Sequence, residues 1–312
     1  MVISPIKSLF LKKKAPAFDE SFAPSFKTLM HMKKDVPYLK DFNFKKTSNR
    51  AGDAKSVFKG RGIEFEEVRT YHFGDDLRDI DWRVTARKNQ PYTKVYAEEK
   101  DREVYVVLDL SPQMYFATKG ELKSVTASKT VALLGWLALS YHDKFGLIVD
   151  TGAENYFFKA KYGDTHLLSV FKKTEQIARA QLNDTQEGKV PLQSLPLIEQ
   201  KINRRSIVFV ISSFDGQPQS AKKLLPLIRQ NEVYLVDIFD PIEKNAPPSG
   251  VYTAVYGDFE ATLDVSGKDF ERVYQNYFEE KRRKMQTLCK KYGAHYRPVQ
   301  TDLPIPGQLS PV

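Results

Sequence analysis

The sequence predicts an α/β protein with a mostly parallel β-sheet covered by helices on both faces. Short apolar stretches alternate along the chain with longer stretches of helical periodicity, which is the order expected of βαβ units. The stretch Val104–Asp109 is apolar on both faces, as a central strand of a covered sheet should be. With 312 residues, the chain is long enough to bury such a core.

The predicted strands share short length, β-branched or aromatic residues, and flanking turn residues. They lie at Tyr92–Glu98, Glu103–Leu110, Phe145–Val149, Tyr156–Lys159, Ser206–Ile211, Glu232–Ile238 and His295–Val299. The last six of these form the predicted sheet. A hairpin is predicted for Tyr252–Tyr256 with Ala261–Val265, because Gly257-Asp258 lies between them.

The predicted helices show apolar residues at the spacing of one helical face. They lie at Lys119–His142, Thr165–Arg179, Leu192–Lys201, residues 218–230 and Lys268–Tyr292. Gly293 follows the last of these and suits the position after a helix C-terminus.

The excess of positive charge lies in the N-terminal part of the chain. Residues 1–62 hold 14 Lys and Arg against 5 Asp and Glu, which equals the net charge of +9 of the whole chain. We predict a basic, largely irregular N-terminal arm at residues 1–59, a signature segment at 60–102 and the α/β domain at 103–312. The arm is either a solvated segment or a contact site for nucleic acid, anionic lipid or an acidic protein face.

The signature segment combines aspartates and arginines in equal number. They are Asp75, Asp76, Asp79 and Asp81, and Arg69, Arg78, Arg83 and Arg87. Four carboxylates this close together could hold a hard cation or act as acid and base in a metal-dependent hydrolase. Arginine pairs bidentately with carboxylate, so the other interpretation is a structural network or a partner-binding surface that includes Trp82.

This segment resembles the signature of the domain of unknown function 58 family. The resemblance is carried by Gly60–Tyr71, by Gly74-Asp75-Asp76-Leu77-Arg78-Asp79-Ile80-Asp81-Trp82, by Thr85-Ala86-Arg87, and by Asp240-Pro241-Ile242-Glu243. It covers the chain from about residue 50 to the C-terminus. It implies a von Willebrand A-like fold for residues 103–312, no established catalytic activity, and an association with a MoxR-type AAA+ ATPase.

The resemblance also implies a metal-ion-dependent adhesion site after the central strand. In von Willebrand A folds this loop reads Asp-x-Ser-x-Ser, and it holds Mg²⁺ together with oxygens from two further loops. Asp109 and Ser111 match this pattern, and Thr165 is the candidate hydroxyl of the second loop. Gln113 and Ser213 stand where a serine and an aspartate are expected, so the predicted site is degenerate. The other interpretation is a turn in which Ser111 caps the following segment.

We therefore predict a non-enzymatic protein-interaction module, an adaptor or substrate selector for a MoxR-type AAA+ ATPase. Its expected docking surfaces are the metal loop and the region from Arg69 to Arg87. The alternatives are a metal-dependent hydrolase that uses the four signature aspartates, and a nucleic-acid-binding protein that uses the arm. Cys289 is the single cysteine, which excludes an intrachain disulfide. A cytoplasmic location is predicted, because no apolar stretch is long enough to span a bilayer.

Overall fold

The computed structural model describes residues 20–39, 63–98, 102–182, 191–192, 195–214, 218–256, 259–265, 267 and 269–310. These residues fall into two compact units. The body consists of residues 20–39 and the described residues from 102 to 310. The signature unit consists of residues 63–98. The predicted domain boundaries at 59/60 and 102/103 stay predictions.

The strands and helices are numbered along the chain. The strands are β1 (Ile63–Thr70), β2 (Tyr92–Glu98), β3 (Glu103–Asp109), β4 (Lys144–Asp150), β5 (Asn155–Lys161), β6 (Ile207–Ser212), β7 (Glu232–Phe239), β8 (Val251–Tyr256), β9 (Phe259–Asp264) and β10 (His295–Gln300). The helices are α1 (Phe26–His31), α2 (Trp82–Lys88), α3 (Lys123–Ser140), α4 (Asp164–Leu182), α5 (Leu195–Glu199), α6 (Pro218–Gln230), α7 (Pro241–Lys244), α8 (Phe270–Tyr292) and α9 (Ile305–Leu309). Short 3₁₀ turns cover Met32–Leu39, Leu77–Asp79 and Pro112–Met114.

The body is built on a six-stranded sheet of order β10-β7-β6-β3-β4-β5. Every neighbouring pair is parallel except β4 and β5, which are antiparallel. Residues Val104 to Asp109 of β3 are buried on both faces, which explains why this strand is apolar throughout. The predicted six-stranded, mostly parallel sheet is confirmed.

Helices cover both faces of this sheet. Helix α3 lies on one face with α4, and its residues are buried nearly all round. The two helices approach closely at Gly135, where a Cβ would lie 2.6 Å from Leu167 Cδ1. The other face is covered by α5, α6 and α8, which pack on alternate residues of β3, β4, β6 and β7. The predicted α/β architecture is therefore confirmed.

Part of the predicted irregular arm is regular structure. Residues 20–39 form α1 and a 3₁₀ turn, and Leu29 and Leu39 are buried in the body. The indole Nε1 of Trp136 in α3 donates to the Leu29 carbonyl at 3.2 Å, and Lys33 Nζ lies 4.6 Å from the Trp136 ring centroid. Residues 20–39 are rich in lysine, but they also contain apolar side chains, and burial of these side chains explains why the segment is folded onto the body. Residues 1–19 and 40–59 lie outside the described residues.

The signature unit is a small antiparallel ribbon with a short helix. Strand β1, which was not predicted as a separate element, pairs with β2 from Ile63–Glu98 to Thr70–Tyr92. Its charged sequence hides the strand pattern. Between the two strands the chain makes a 3₁₀ turn and helix α2, and the Asp81 N–H donates to the Tyr92 carbonyl at 2.8 Å.

The remaining predicted elements agree with the structure in kind and differ in length. The helix predicted at Leu192–Lys201 is reduced to α5. Strands β8 and β9 form the predicted hairpin. Helix α8 ends at Gly293, whose φ of 78° is left-handed and favours glycine. Within the described ranges, the helices are too short or too polar to cross a membrane.

Candidate functional site

Polar side chains form a row at the carboxyl edge of the sheet. Asp109 pairs in register with Asp150, and Ser212 pairs with Asp237. Because Leu108 pairs with Ile211, Asp109 and Ser212 are also neighbours. Side chains alternate along a strand, so this row continues the face on which α5, α6 and α8 pack. We call these four residues the carboxyl-edge row.

Asp109 is the buried centre of this row. Its Oδ1 accepts the Ser111 N–H at 2.8 Å, and its Oδ2 accepts the Ser212 hydroxyl at 2.6 Å. Burial raises the pKa of Asp109 to about 6, and the nearby carboxylate of Asp150 acts in the same direction. The hydrogen bonds from Ser111 and Ser212 oppose this rise. The carboxyl group is therefore harder to ionise than that of an ordinary, exposed aspartate.

The loops around Asp109 contain polar atoms that lack partners. Among the described residues, Ser111 Oγ, Ser213 Oγ and Gln113 Nε2 are buried without a hydrogen bond. Ser111 stands at the N-cap position of the turn Pro112–Met114, but its hydroxyl makes no capping hydrogen bond. The predicted cap is therefore wrong in this respect. Buried hydroxyls without a protein partner are uncommon and are usually satisfied by water or a ligand.

Thr165 lies at the opposite edge of the sheet, so it does not join Asp109. Strand β5 is antiparallel to β4, and its last residue, Lys161, pairs with Phe145 near the start of β4. The chain thus enters α4 at the amino edge, where the His166 ring nitrogen Nε2 lies 3.1 Å from the Phe145 carbonyl oxygen. A strand of this length separates the edges by about 20 Å. The prediction of Thr165 as a ligand beside Asp109 is wrong, because the sequence does not reveal the direction of β5.

Lys281 of α8 brings a positive charge to the carboxyl edge. Its Nζ donates to the Ser213 carbonyl at 2.7 Å and lies 3.9 Å from Asp237 Oδ1. The Tyr296 hydroxyl donates to Asp237 Oδ2 at 2.5 Å, and burial together with this carboxylate raises the pKa of Tyr296. Sequence reasoning missed Asp150, Asp237 and Lys281. Asp150 directly follows one predicted strand and Asp237 is the penultimate residue of another, which was a usable signal, whereas nothing in the sequence places Lys281 beside Ser213.

These residues do not fit a magnesium ion. Asp109 is the one carboxylate that matches the adhesion-site pattern, and both its oxygens already accept hydrogen bonds. Lys281 adds a cation at Ser213, where the pattern expects an anionic ligand. Magnesium requires a nearly octahedral set of oxygens and dehydrates reluctantly. In the described part of the chain, no three His, Cys, Asp or Glu side chains converge on a site for a metal.

The Asp240-Pro241-Ile242-Glu243 motif is a structural clamp. Asp240 is buried, accepts the Ile242 N–H at 2.9 Å and the Thr118 N–H at 2.8 Å, and also accepts the Thr118 hydroxyl. Glu243 pairs with the buried Lys123 Nζ at 2.6 Å. The motif therefore ties α7 to the start of α3.

The aspartates of the signature unit are engaged within the unit. Asp75 accepts two hydrogen bonds from Arg69, at 2.9 and 2.7 Å, and a third from the His72 N–H at 2.9 Å. The hydrogen bonds from Arg69 and His72 hold the pKa of Asp75 below its usual value. Asp76 accepts two hydrogen bonds from the Arg78 side chain, at 3.2 and 3.0 Å. The predicted Arg–Asp network is present at these two pairs.

The other predicted residues of this unit surround helix α2. Asp81 caps the helix by accepting the N–H groups of Arg83 and Val84 at 3.0 and 3.1 Å. Asp79 is half-buried in the 3₁₀ turn, where its carbonyl faces the Thr93 hydroxyl at 3.4 Å. Trp82 and Arg87 are exposed on α2. The side chains of Asp75, Asp76 and Asp81 therefore hold the turns, while Trp82 and Arg87 face the solvent.

Two further apolar side chains of this unit are exposed and were missed from the sequence. Phe73 is fully exposed, and Leu77 is 64% exposed. Together with Trp82, which is 69% exposed, they form a set within ten residues. The sequence did contain a signal for their exposure, because Phe73 and Leu77 are apolar residues within a stretch of charged and turn-forming residues. We call Phe73, Leu77 and Trp82 the apolar triplet.

Comparison with known families identifies the chain. The family described as "Protein of unknown function DUF58" matches residues 67–287. The chain belongs to this family. The predicted membership is therefore confirmed, and the match includes most of the signature unit and five of the six strands of the body's sheet, all but β10.

Curated relatives come from mycobacteria. Uncharacterized proteins of Mycobacterium tuberculosis strain H37Rv and of Mycobacterium bovis are each 26% identical to this chain over 199 residues. The match covers 64% of this chain and 62% of each relative, so the chain spans less than two thirds of their length.

Solved structures that the chain resembles match about two thirds of its length. The BatB protein of Bacteroides thetaiotaomicron has a TM-score of 0.36 and 13% identity, covering 61% of this chain and 99% of its own. An aerotolerance-related membrane protein of Bacteroides fragilis has a TM-score of 0.40 and 13% identity, covering 64% and 92%. The SpRpn10 VWA domain has a TM-score of 0.31 and 10% identity, covering 66% and 91%. The assignment of an α/β fold to this chain rests on its own sheet topology.

Proposed function

We propose that this protein is a non-enzymatic interaction module that acts as an adaptor or substrate selector for a MoxR-type AAA+ ATPase in the cytoplasm. The observation that supports the interaction role is that, in the signature unit, the acidic side chains are used in internal contacts and an aromatic and a basic side chain are exposed. Asp75, Asp76 and Asp81 are engaged by arginines and backbone amides, while Trp82 and Arg87 face the solvent. Exposed tryptophan and arginine are the side chains most enriched in the energetic centres of protein interfaces.

The same contacts argue against the hydrolase alternative. A catalytic or metal-binding carboxylate needs oxygens directed at the substrate or the ion. The carboxylate oxygens of Asp75 and Asp76 accept hydrogen bonds from Arg69 and Arg78. One carboxylate oxygen of Asp81 accepts the backbone N–H groups that begin α2. Catalysis by these carboxylates would therefore require breaking the hydrogen bonds that hold the turns on which the carboxylates lie.

The second proposed docking surface is formed by the loops that follow the carboxyl-edge row, because the four residues of the row are themselves buried. These loops lie at the edge where ligands of open α/β sheets bind. The unpartnered hydroxyl of Ser213 supports a binding role, because a partner group could complete its hydrogen bond. Thr165 is not part of this surface.

Affinity capture tests the proposed function. The full chain, tagged and immobilised, is incubated with native cell extract in the presence of ATP, and the retained proteins are identified by mass spectrometry. We expect a MoxR-type AAA+ ATPase to be enriched over a control column that carries an unrelated α/β protein. Capture of no AAA+ protein under these conditions contradicts the proposal.

A further inference from the structure

We propose that the apolar triplet is the anchor by which the signature unit binds a protein partner, and that the partner offers an apolar pocket with an acidic rim. This inference rests on the proposed function and names the residues and the partner chemistry that the binding uses. It adds Phe73 and Leu77 to Trp82 as residues that contact the partner.

Each member of the triplet stands on backbone that a neighbouring aspartate holds. Asp75 closes the turn that carries Phe73, because its Oδ2 accepts the His72 N–H and both its oxygens are clamped by Arg69. Gly74, next to Phe73, has a φ of 104°, and a Cβ there would meet no atom within 4 Å. Its left-handed backbone is the reason for a glycine at this turn.

The same arrangement recurs at the other two anchors. Asp76 caps the 3₁₀ turn whose first residue is Leu77, through the Arg78 N–H at 3.0 Å. Asp81 caps the helix whose first residue is Trp82. Three aspartates thus fix the backbone beneath three exposed apolar side chains. A backbone fixed in advance lowers the entropy that binding must overcome, which favours an anchor role over a random exposure of apolar groups.

The charge around the triplet points to an acidic partner. Arg83 and Arg87 are exposed on α2, one and five residues after Trp82, and Lys88 follows them. Neither arginine forms an ion pair with another residue of the described ranges, whereas the aspartates nearby are engaged inside the unit. A partner surface with carboxylates around an apolar pocket would match both features.

The combination of anchors favours a folded protein over nucleic acid or a membrane. Nucleic-acid surfaces use aromatic side chains for stacking but gain little from an aliphatic side chain such as Leu77. A membrane surface favours a basic amphipathic helix of greater length than the seven residues of α2. Exposed aromatic side chains accompanied by arginine are typical of the energetic centre of a protein interface.

The test is a binding series with the full chain and a purified MoxR-type ATPase of the same genome, measured by biolayer interferometry in the presence of ATP. The variants are Phe73→Ala, Leu77→Ala, Trp82→Ala and the double variant Arg83→Glu/Arg87→Glu. The matched controls are Tyr277→Ala and Arg283→Glu, because Tyr277 is exposed to 65% on α8 of the body, and Arg283 lies on the same helix. Circular dichroism checks that each variant is folded. Folding should be retained, because the substituted side chains are exposed.

We expect Trp82→Ala and Phe73→Ala to raise the Kd about tenfold or more, which is the loss typical of a central aromatic anchor. Charge reversal at Arg83 and Arg87 should lower the association rate, and the loss should shrink as salt is raised. The two controls should bind as the wild type does.

The outcomes separate the two claims. Absence of binding by the wild type overturns the proposed function and this inference with it. Binding that all triplet variants retain overturns the inference alone and leaves the adaptor role in place. Binding of the wild type to vesicles of anionic phospholipid that the triplet variants lose would assign the anchor to a membrane, and would also overturn the inference.

Discussion

Replacing Asp109 with asparagine tests the electrostatics of the carboxyl edge. The substitution keeps the shape of the side chain and its two hydrogen bonds, because the amide oxygen accepts the Ser111 N–H and the amide nitrogen can donate to Ser212 Oγ. It removes the charge that Asp109 acquires above a pKa of about 6. The variant therefore differs from the wild type mainly in its response to pH.

The sign follows from the direction of the shift. The pKa of Asp109 is about 6 in the folded protein and 3.8 in the reference state, so the folded protein holds the proton more tightly. Its contribution to stability is complete below pH 3.8 and is lost as pH rises through about 6. The difference amounts to about 3 kcal/mol. The wild type should lose most of this difference relative to Asp109→Asn between about pH 4 and pH 7.

The stability of the wild type and of Asp109→Asn is measured by urea unfolding at a series of pH values, with EDTA present to remove divalent metal ions. The Trp82→Phe background leaves Trp136, buried in α3, as the sole tryptophan that reports on the body. A stability difference that stays constant within about 0.5 kcal/mol from pH 4 to 7.5 would refute the reasoning, since the expected change is several times larger.

Three further predictions test the rest of the account. Millimolar MgCl₂ should shift the Tm of the wild type and of Thr165→Ala equally and by less than about 1 °C, because the described residues offer no complete ligand set that would bind the ion only in the folded state; a saturable shift that Asp109→Asn abolishes would contradict this. Lys123→Met should lower the free energy of unfolding by about 3 kcal/mol, because it removes one member of the Lys123–Glu243 ion pair, and adding Glu243→Gln should restore part of the loss; an additive double variant would contradict the clamp. Leu29→Ala should cost about 3 kcal/mol in urea unfolding, because it opens a cavity against α3; an unchanged midpoint would contradict the packing of residues 20–39 on the body.

Much of the body could be predicted because its strands are buried on both faces. A buried strand such as β3 must be apolar throughout, so its sequence identifies it without knowledge of its neighbours. Helix α8 was equally clear, since Gly293 marks its end. In contrast, β1 lies in a two-stranded ribbon and carries a charged sequence, so alternation did not reveal it. Residues 20–39 gave too few apolar positions to show that they pack on α3.

The candidate site was harder to predict because it depends on strand direction and on distant contacts. Asp109 and Ser111 were found because they directly follow a central strand. Thr165 was misplaced because β5 runs antiparallel, which places the following helix start at the other edge. Lys281 meets Ser213 from a helix 68 residues further along the chain. A short-range pattern carries no information about such a contact.

The most direct test of the central claim is sedimentation velocity of the purified full chain mixed with a purified MoxR-type ATPase in ATP. The account predicts that the chain sediments with the ATPase in one faster boundary, and that Trp82→Ala returns much of it to its own slow boundary while Tyr277→Ala does not. Two independent boundaries for the wild-type mixture, at concentrations far above those in the cell, would contradict the claim that this protein is an adaptor for such an ATPase.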